Sequence, residues 1–200
     1  KFGTKNAAVS ISGSSVIVRF VRFPKMNAEE LEQTLQFEAE PHIPFDIQEV
    51  DLDTQIIGDV EEEGQEKMET VLVASKKDTI QEKVEIIEKA GLSPSIIDVD
   101  AFALENAYEL VNKDVATKMI LLVNIGASTT NISIVENGIS KVVRDLYTAG
   151  MSLTRAIQNE MSVENFRKAE DLKIKYGLSA SAGKDSTKDD EVSSKVYDVL

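Results

Sequence analysis

The apolar residues of this sequence switch repeatedly between a spacing of two and a spacing of three to four, which restricts the chain to a mixed α/β fold. Ala7 to Ser12 alternates apolar and polar positions, Gly13 and Ser14 offer a turn, and Val16, Val18 and Phe20 carry the alternation on to Pro24, so this segment predicts a β-hairpin. Asn27 suits a helix N-cap, with Glu30 where a capping-box carboxylate reaches back. Leu31 and Leu35 carry that helix to about Glu40, where Pro41 and Pro44 stop it. Val50, Leu52, Thr54 and Ile56 alternate in a further strand, the acidic run from Asp59 to Glu66 around Gly64 reads as a solvated hairpin loop, and the next strand is Thr70 to Ala74. Between Lys77 and Ala90, Ile80, Val84 and Ile87 share one helical face, and Gly91 follows where a left-handed residue is wanted. Ser95 to Val99 lacks alternation, as a buried parallel strand does, and the strand–helix–strand order predicts a parallel pair joined by a crossover.

After a short helix at Ala101 to Val111 the pattern restarts. Strands are expected at Met119 to Val123, Asn131 to Val135 and Ser140 to Leu146, the last two joined through a hairpin turn at Glu136-Asn137-Gly138. Helices follow near Leu153 to Met161 and Val163 to Tyr176, and Ser179 to Asp190, small, polar and charged, reads as a mobile loop. The chain opens at Lys1 without an initiator Met and ends just after Val196, Tyr197 and Val199, a helix face starting to form, so both ends read as cuts.

Charge and composition narrow the partners. With 22 basic and 35 acidic residues the net charge is −13, which repels phosphate backbones and anionic lipid surfaces and argues against a nucleic-acid partner. The absence of cysteine excludes a disulfide framework and a thiolate metal site, and makes cytoplasm the default compartment. Apolar runs such as Met119 to Val123 fall far short of the roughly 20 residues a membrane-spanning helix needs, and no basic leader precedes an apolar stretch.

The sharpest chemical signal is Asn124-Ile125-Gly126-Ala127-Ser128-Thr129-Thr130-Asn131, a small-residue turn between two strands. Glycine lets a backbone approach an anion closely, successive N–H groups can form a nest, and Ser128 and Thr129 add neutral donors without bulk. An ordinary polar β-hairpin turn has the same look, and these eight residues leave both readings open. His42 is the sole histidine and reads as structural. Asp98 and Asp100 share a strand-end face; capping of the next helix is favoured over cation binding. Lys76 and Lys77 read as a solvated basic pair.

Val123 to Ile134 resembles the phosphate-binding hairpin of the actin-fold ATPases, which include actin, the heat-shock ATPases, sugar kinases and the division protein FtsA. Ala101 to Val111 matches that group's interlobe helix, Thr148-Ala149-Gly150 its Gly-rich turn with Thr154 beginning the next helix, and Glu170 and Lys173 its pair contacting ribose and adenine. Without the resemblance, Glu170 and Lys173 are a solvent-facing ion pair at i, i+3. The segments Phe37 to Asp46 and Asp98 to Ala107 resemble the PilM family of type IV pilus assembly proteins more than FtsA.

The resemblance implies an α/β, actin-like (ribonuclease H-like) two-lobe fold, truncated at both ends. The first lobe would be 1–112, with a small inserted α+β subdomain at about 24–58, and the front part of the second lobe 113–200. It implies cofactor-binding roles for Asn124, Gly126, Ala127, Ser128, Thr129, Thr130, Gly150, Glu170 and Lys173, and assigns no catalytic residue or metal ligand. ATP and Mg²⁺ are the implied cofactors, weakened or lost because the first phosphate loop, expected before Lys1, and the adenine segment, expected beyond Leu200, are absent. Many actin-fold ATPases have an Asp where this chain has Asn124, a weaker ligand for a hard cation, so ATPase activity is expected to be slow at most. The implied function is an ATP-binding adaptor of the inner-membrane pilus platform, cytoplasmic and peripheral to the membrane through its partner. It would capture the N-terminal cytoplasmic peptide of PilN in a groove between first lobe and inserted subdomain, and ATP would bias that groove by linkage. The alternatives are an FtsA-like filament former, an actin-fold small-molecule kinase, and the related cytoplasmic domain of type II secretion platforms.

Overall fold

The order of elements is β1 (Asn6–Ile11), β2 (Val16–Pro24), α1 (Ala28–Ala39), β3 (Val50–Glu62), β4 (Gln65–Lys76), α2 (Lys77–Lys89), β5 (Ser93–Val99), α3 (Asp100–Val111), β6 (Met119–Ile125), β7 (Thr130–Glu136), β8 (Ile139–Leu146), α4 (Gly150–Glu160) and α5 (Phe166–Tyr176). The computed structural model describes residues 3–112 and 117–177, with Val192, Lys195, Val196, Asp198 and Val199; the loop expected at 179–190 lies outside them. The contacts separate two units, one of residues 1–124 and 131–145, the other of 125–130 and 146–200.

In the first unit, α1 begins as its sequence predicts. The Asn27 side chain accepts the Glu30 N–H at 2.9 Å, and the Glu30 carboxylate accepts the Asn27 N–H at 3.0 Å. The helix lays Leu31 and Ala39 on Phe23, Met68 and Leu72 of the sheet β2–β4–β3, and all five are sealed from water. Burying a side chain of this size contributes about 1.5–3 kcal/mol, so this layer is the most stabilising apolar cluster described. Pro41 sits in a single 3-10 turn, Glu40–His42, and His42 packs its ring 6.1 Å from that of Phe23. Gly91, at φ +75°, closes α2, with the Leu92 N–H donating back to the Ile87 carbonyl at 3.1 Å.

Strand partners differ from the sequence expectation. β1 runs parallel to β5, from Asn6 opposite Ser93 to Ile11 opposite Val99, and β2 runs antiparallel to β4, from Val16 opposite Ser75 to Pro24 opposite Lys67. The expected β1–β2 hairpin is therefore a turn, closed by the Val16 N–H on the Gly13 carbonyl at 3.0 Å, between strands of two different sheets. The parallel partner of β5 is β1 rather than β4, because β4 is flanked by β2 and β3. Alternation states which residues share a face; it does not state which strand lies alongside.

The acidic run is also strand rather than loop. β3 continues to Glu62, a two-residue turn at Glu63 and Gly64 (φ 54° and 76°) reverses the chain, and β4 starts at Gln65. Neighbouring cations make this tolerable: Glu62 meets Arg22 at 2.6 Å and Lys67 at 2.7 Å, and Lys25 lies 2.9 Å from Asp59 and 3.3 Å from Glu66. Lys67 first, then Arg22, hold the Glu62 carboxyl below its usual range. Asp100 does not cap α3; Val99 is the N-cap, and the Asp100 carboxylate accepts the Ser12 hydroxyl at 2.6 Å. In the sheet β6–β7–β8, Asn137 and Gly138 form the expected turn with φ of 53° and 76°, while Met119, Leu121 and Val123 on β6 are exposed.

In the second unit, Ile157 of α4 and Ala169 of α5 meet Val196 in a small core flanked by Leu172 and Tyr176. Asn165 caps α5 by accepting the Lys168 N–H at 3.0 Å. α4 starts at Gly150, earlier than the expected Leu153, so Thr154 lies one turn inside the helix rather than at its start.

Candidate functional site

The tip of the β6–β7 hairpin is joined to the first turn of α4 through main chain. The Gly150 N–H donates to the Gly126 carbonyl at 3.0 Å and the Met151 N–H to the Ala127 carbonyl at 2.8 Å, while the Gly126 N–H closes the tip on the Thr129 carbonyl at 3.0 Å. Glycine is required at position 126 and allows a close approach at position 150. A Cβ on Gly126 would lie 2.8 Å from the Thr129 oxygen, and one on Gly150 would lie 3.2 Å from the Gly126 oxygen. Two of the N–H groups that a helix N-terminus normally leaves free are thus taken by carbonyls of the hairpin. The N–H groups of Ala127, Ser128 and Thr129 and the Ser128 hydroxyl have no hydrogen-bond partner among the described residues. The Thr130 hydroxyl is committed to the Thr148 carbonyl at 2.8 Å.

Glu170 and Lys173 are not a solvent-facing pair. Their charged groups are 2.7 Å apart, and Lys173 also donates to the Gly150 carbonyl at 3.1 Å and to Thr154 Oγ1 at 2.8 Å. The fully buried Thr154 hydroxyl contacts the Glu170 carboxylate as well. Lys173 first, then Thr154, hold the Glu170 carboxyl below its usual range. Gly126, Ala127, Gly150, Glu170 and Lys173 are therefore brought together by one network. Thr154, its hub, gives little sign of this in sequence, because a Thr one turn into a helix ordinarily just bonds the carbonyl four residues back, as this one also does.

Asn124 belongs to the first unit. Its amide donates to Asn131 Oδ1 at 3.0 Å, Asn131 donates to Asp145 at 2.8 Å, and the other Asp145 oxygen accepts the Gly13 N–H at 2.9 Å. This relay employs the Asn124 side chain in positioning, and Asp145, one of its members, was not singled out from the sequence. Among the described residues no group of three His, Asp or Glu side chains could hold a metal ion, and no helix is long and apolar enough to cross a membrane.

The first unit also contains two adjoining cavities of about 260 Å³ and 430 Å³, sharing Gln55, Val71, Asp98 and Phe102. Leu52, Val71, Val73, Ile97 and Phe102 give the smaller an apolar wall, with Asp51, Asp53 and the shared Asp98 at its lining, and Glu105 and Glu109 join Asp98 around the larger. Glu105 is 9 % exposed and accepts the Ser140 hydroxyl at 3.0 Å, and burial pushes its carboxyl above the usual range.

An α/β chain whose small-residue hairpin is clasped to the Gly-led helix after the next strand belongs to the actin-like class. Within that class the chain is a member of the PilM family, for the model described as type IV pilus assembly protein PilM matches residues 1–185. It resembles a chain of the solved PilM–PilN type IV pilus biogenesis complex with 26% identity and a TM-score of 0.79, over 99% of this chain and 54% of that one. This sequence thus spans about half the length of that relative. Partial likenesses extend to the cytoplasmic domain of EpsL, an inner-membrane component of the Vibrio cholerae type II secretion system (12% identity, 80% of this chain and 55% of that one, TM-score 0.46). They extend also to the ethanolamine utilization protein EutJ from Carboxydothermus hydrogenoformans (20% identity, 56% and 34%, TM-score 0.39).

Proposed function

We propose that this chain belongs to an ATP-binding adaptor of the type IV pilus inner-membrane platform, and that it captures the N-terminal cytoplasmic peptide of PilN. The observation that carries this reading is the likeness, over 99% of the chain, to a chain of a PilM–PilN complex. The cavities flanking β3 supply a groove for an extended peptide. Location at the inner membrane would then come through PilN.

The second unit fits a nucleotide. The hairpin N–H groups of Ala127, Ser128 and Thr129 would hold phosphate oxygens, with the close backbone approach that Gly126 and Gly150 permit. Glu170 and Lys173 would meet the nucleoside, exchanging part of their present network for it. Bound ATP supplies a polyanion that stabilises this arrangement of hairpin and helix. Asn124, already turned to Asn131, would offer a hard cation only a neutral amide, which suits a binder better than a fast hydrolase.

Calorimetric titration of a PilN N-terminal peptide, with MgATP as a separate titrant, tests the reading. Saturable peptide binding is the expected result, and the MgATP titration reads the hairpin site separately. A folded chain that ignores the peptide would overturn the adaptor.

A further inference from the structure

The two N–H groups at the start of α4 that bond the hairpin tip each end on a peptide group whose own N–H has no partner among the described residues. The Gly150 N–H reaches the Gly126 carbonyl at 3.0 Å, and that peptide carries the Ala127 N–H. The Met151 N–H reaches the Ala127 carbonyl at 2.8 Å, and that peptide carries the Ser128 N–H. A carbonyl that accepts a hydrogen bond polarises its peptide, so the N–H at the other end becomes a stronger donor. The positive pole of α4 is thus handed on, one peptide group further out, to Ala127 and Ser128.

The two routes differ at their inner end. The Met151 N–H shares its peptide with the Gly150 carbonyl, which accepts Lys173 Nζ at 3.1 Å and the Thr154 hydroxyl at 3.0 Å. The Gly150 N–H shares its peptide with the Ala149 carbonyl, which accepts neutral helix N–H groups, from Ser152 at 2.9 Å and Leu153 at 3.4 Å. A hydrogen bond from a charged donor is roughly twice as strong as one between neutral groups, so the route that ends on Ser128 is the more strongly polarised. Its ammonium is fixed in place by Thr154 Oγ1 at 2.8 Å and Glu170 at 2.7 Å. We propose that Lys173 is a positioning residue for the phosphate end of the site, acting through two peptide groups in series to strengthen the Ser128 N–H as a phosphate donor. This rests on the reading of the hairpin as a nucleotide site. It gives Lys173 a role apart from the nucleoside and links the two ends of the bound molecule.

The probe is inorganic tripolyphosphate, which offers phosphate oxygens without a nucleoside, titrated into the chain and followed through its amide resonances, with ATP titrated separately. In the free chain, Lys173→Met is expected to move the Met151 and Ser128 amide protons upfield and to leave that of Ala127, on the other route, in place. It should weaken tripolyphosphate about two- to fivefold. Lys173→Arg, which keeps a charged donor, should restore most of the loss. Arg167→Met, an equal charge change on an exposed site of α5, should change nothing. The loss should persist in about 1 M NaCl, where the Debye length falls to about 3 Å, because it travels through bonds rather than across solvent. The wild type gives an answer even where Lys173→Met disturbs the packing of α5. Tripolyphosphate on the Ser128 N–H should carry the Met151 amide downfield with it, since the chain is polarised from either end. ATP that moves the hairpin amides, with tripolyphosphate indifferent to Lys173→Met, a loss that vanishes in salt or a Met151 amide that stays still, overturns this inference and leaves the nucleotide reading standing. If neither tripolyphosphate nor ATP moves the amides of Ala127, Ser128 and Thr129, the nucleotide reading falls and this inference with it.

Discussion

The sheet β2–β4–β3 under α1 and the α4–α5 pair with its hairpin tip are held by opposite means. In the first, Phe23, Met68 and Leu72 are sealed from water, and the ionic contacts of Arg22, Lys25 and Lys67 stay at the rim. In the second, the apolar centre is small, and the join to the hairpin is made by the Gly150 and Met151 N–H groups and by the Lys173 ammonium. Apolar burial is non-directional and yields to small shifts, whereas a hydrogen bond weakens steeply with misalignment. One region is built for stability and the other for placement, so damage to them should be read by different instruments.

The largest effect is expected from Leu72→Ala. It opens a cavity in the sealed layer and should cost about 2–5 kcal/mol in denaturant unfolding, with faster hydrogen exchange in β2, β3, β4 and α1. Equal loosening of α4 would break the contrast. Gly126→Ala comes next, because its Cβ would lie 2.8 Å from a main-chain oxygen. About 1–3 kcal/mol of overpacking strain is expected, read as faster exchange of the Gly150 and Met151 amides while that of Leu72 keeps its rate. Asn27→Ala removes one member of the capping box and should cost about 1 kcal/mol, confined to α1.

Glu105→Gln sharpens the contrast most finely. Burial raises the folded-state pKa of Glu105 above its ordinary 4.5, so its contribution to stability is full below 4.5 and is lost as pH rises through the folded value. The melting temperature of the variant relative to the wild type should therefore climb between pH 4 and pH 8. A relative melting temperature that falls over that range would contradict the burial argument.

Local chemistry was legible wherever one residue decides a backbone state. Asn27, Gly91 and the Asn137-Gly138 turn act within a few residues of themselves, and each does what its sequence context predicts. The partner of β1, the strand character of Asp59 to Glu62 and the role of Asp100 depend on residues tens of positions away. Arg22, for example, reaches Glu62 across 40 residues, and Ser12 reaches Asp100 across 88. The candidate site divides in the same way. Gly126 and Gly150 stand out as positions for close backbone approach, but that they meet each other follows from the seating of the hairpin tip on the start of α4, and that Lys173 joins Thr154 follows from packing of α5 on α4.

The parallel pairing of β1 with β5 also sets a timetable for synthesis. The strand of Asn6 pairs with residues 93–99, which leave the ribosome well after it. At about 5–20 residues per second, roughly 5–20 s separates the emergence of β1 from that of β5, and through that interval Val9 and Ile11 wait for Ile97 and Val99. The hairpin β3–β4, closed by Glu63 and Gly64, has no such wait and can form as soon as it emerges. The β1–β5 pair is thus completed late on the ribosome, whereas β3–β4 is completed as it is made, and the aliphatic side of β1 stays without its β5 partner until the chain reaches Val99.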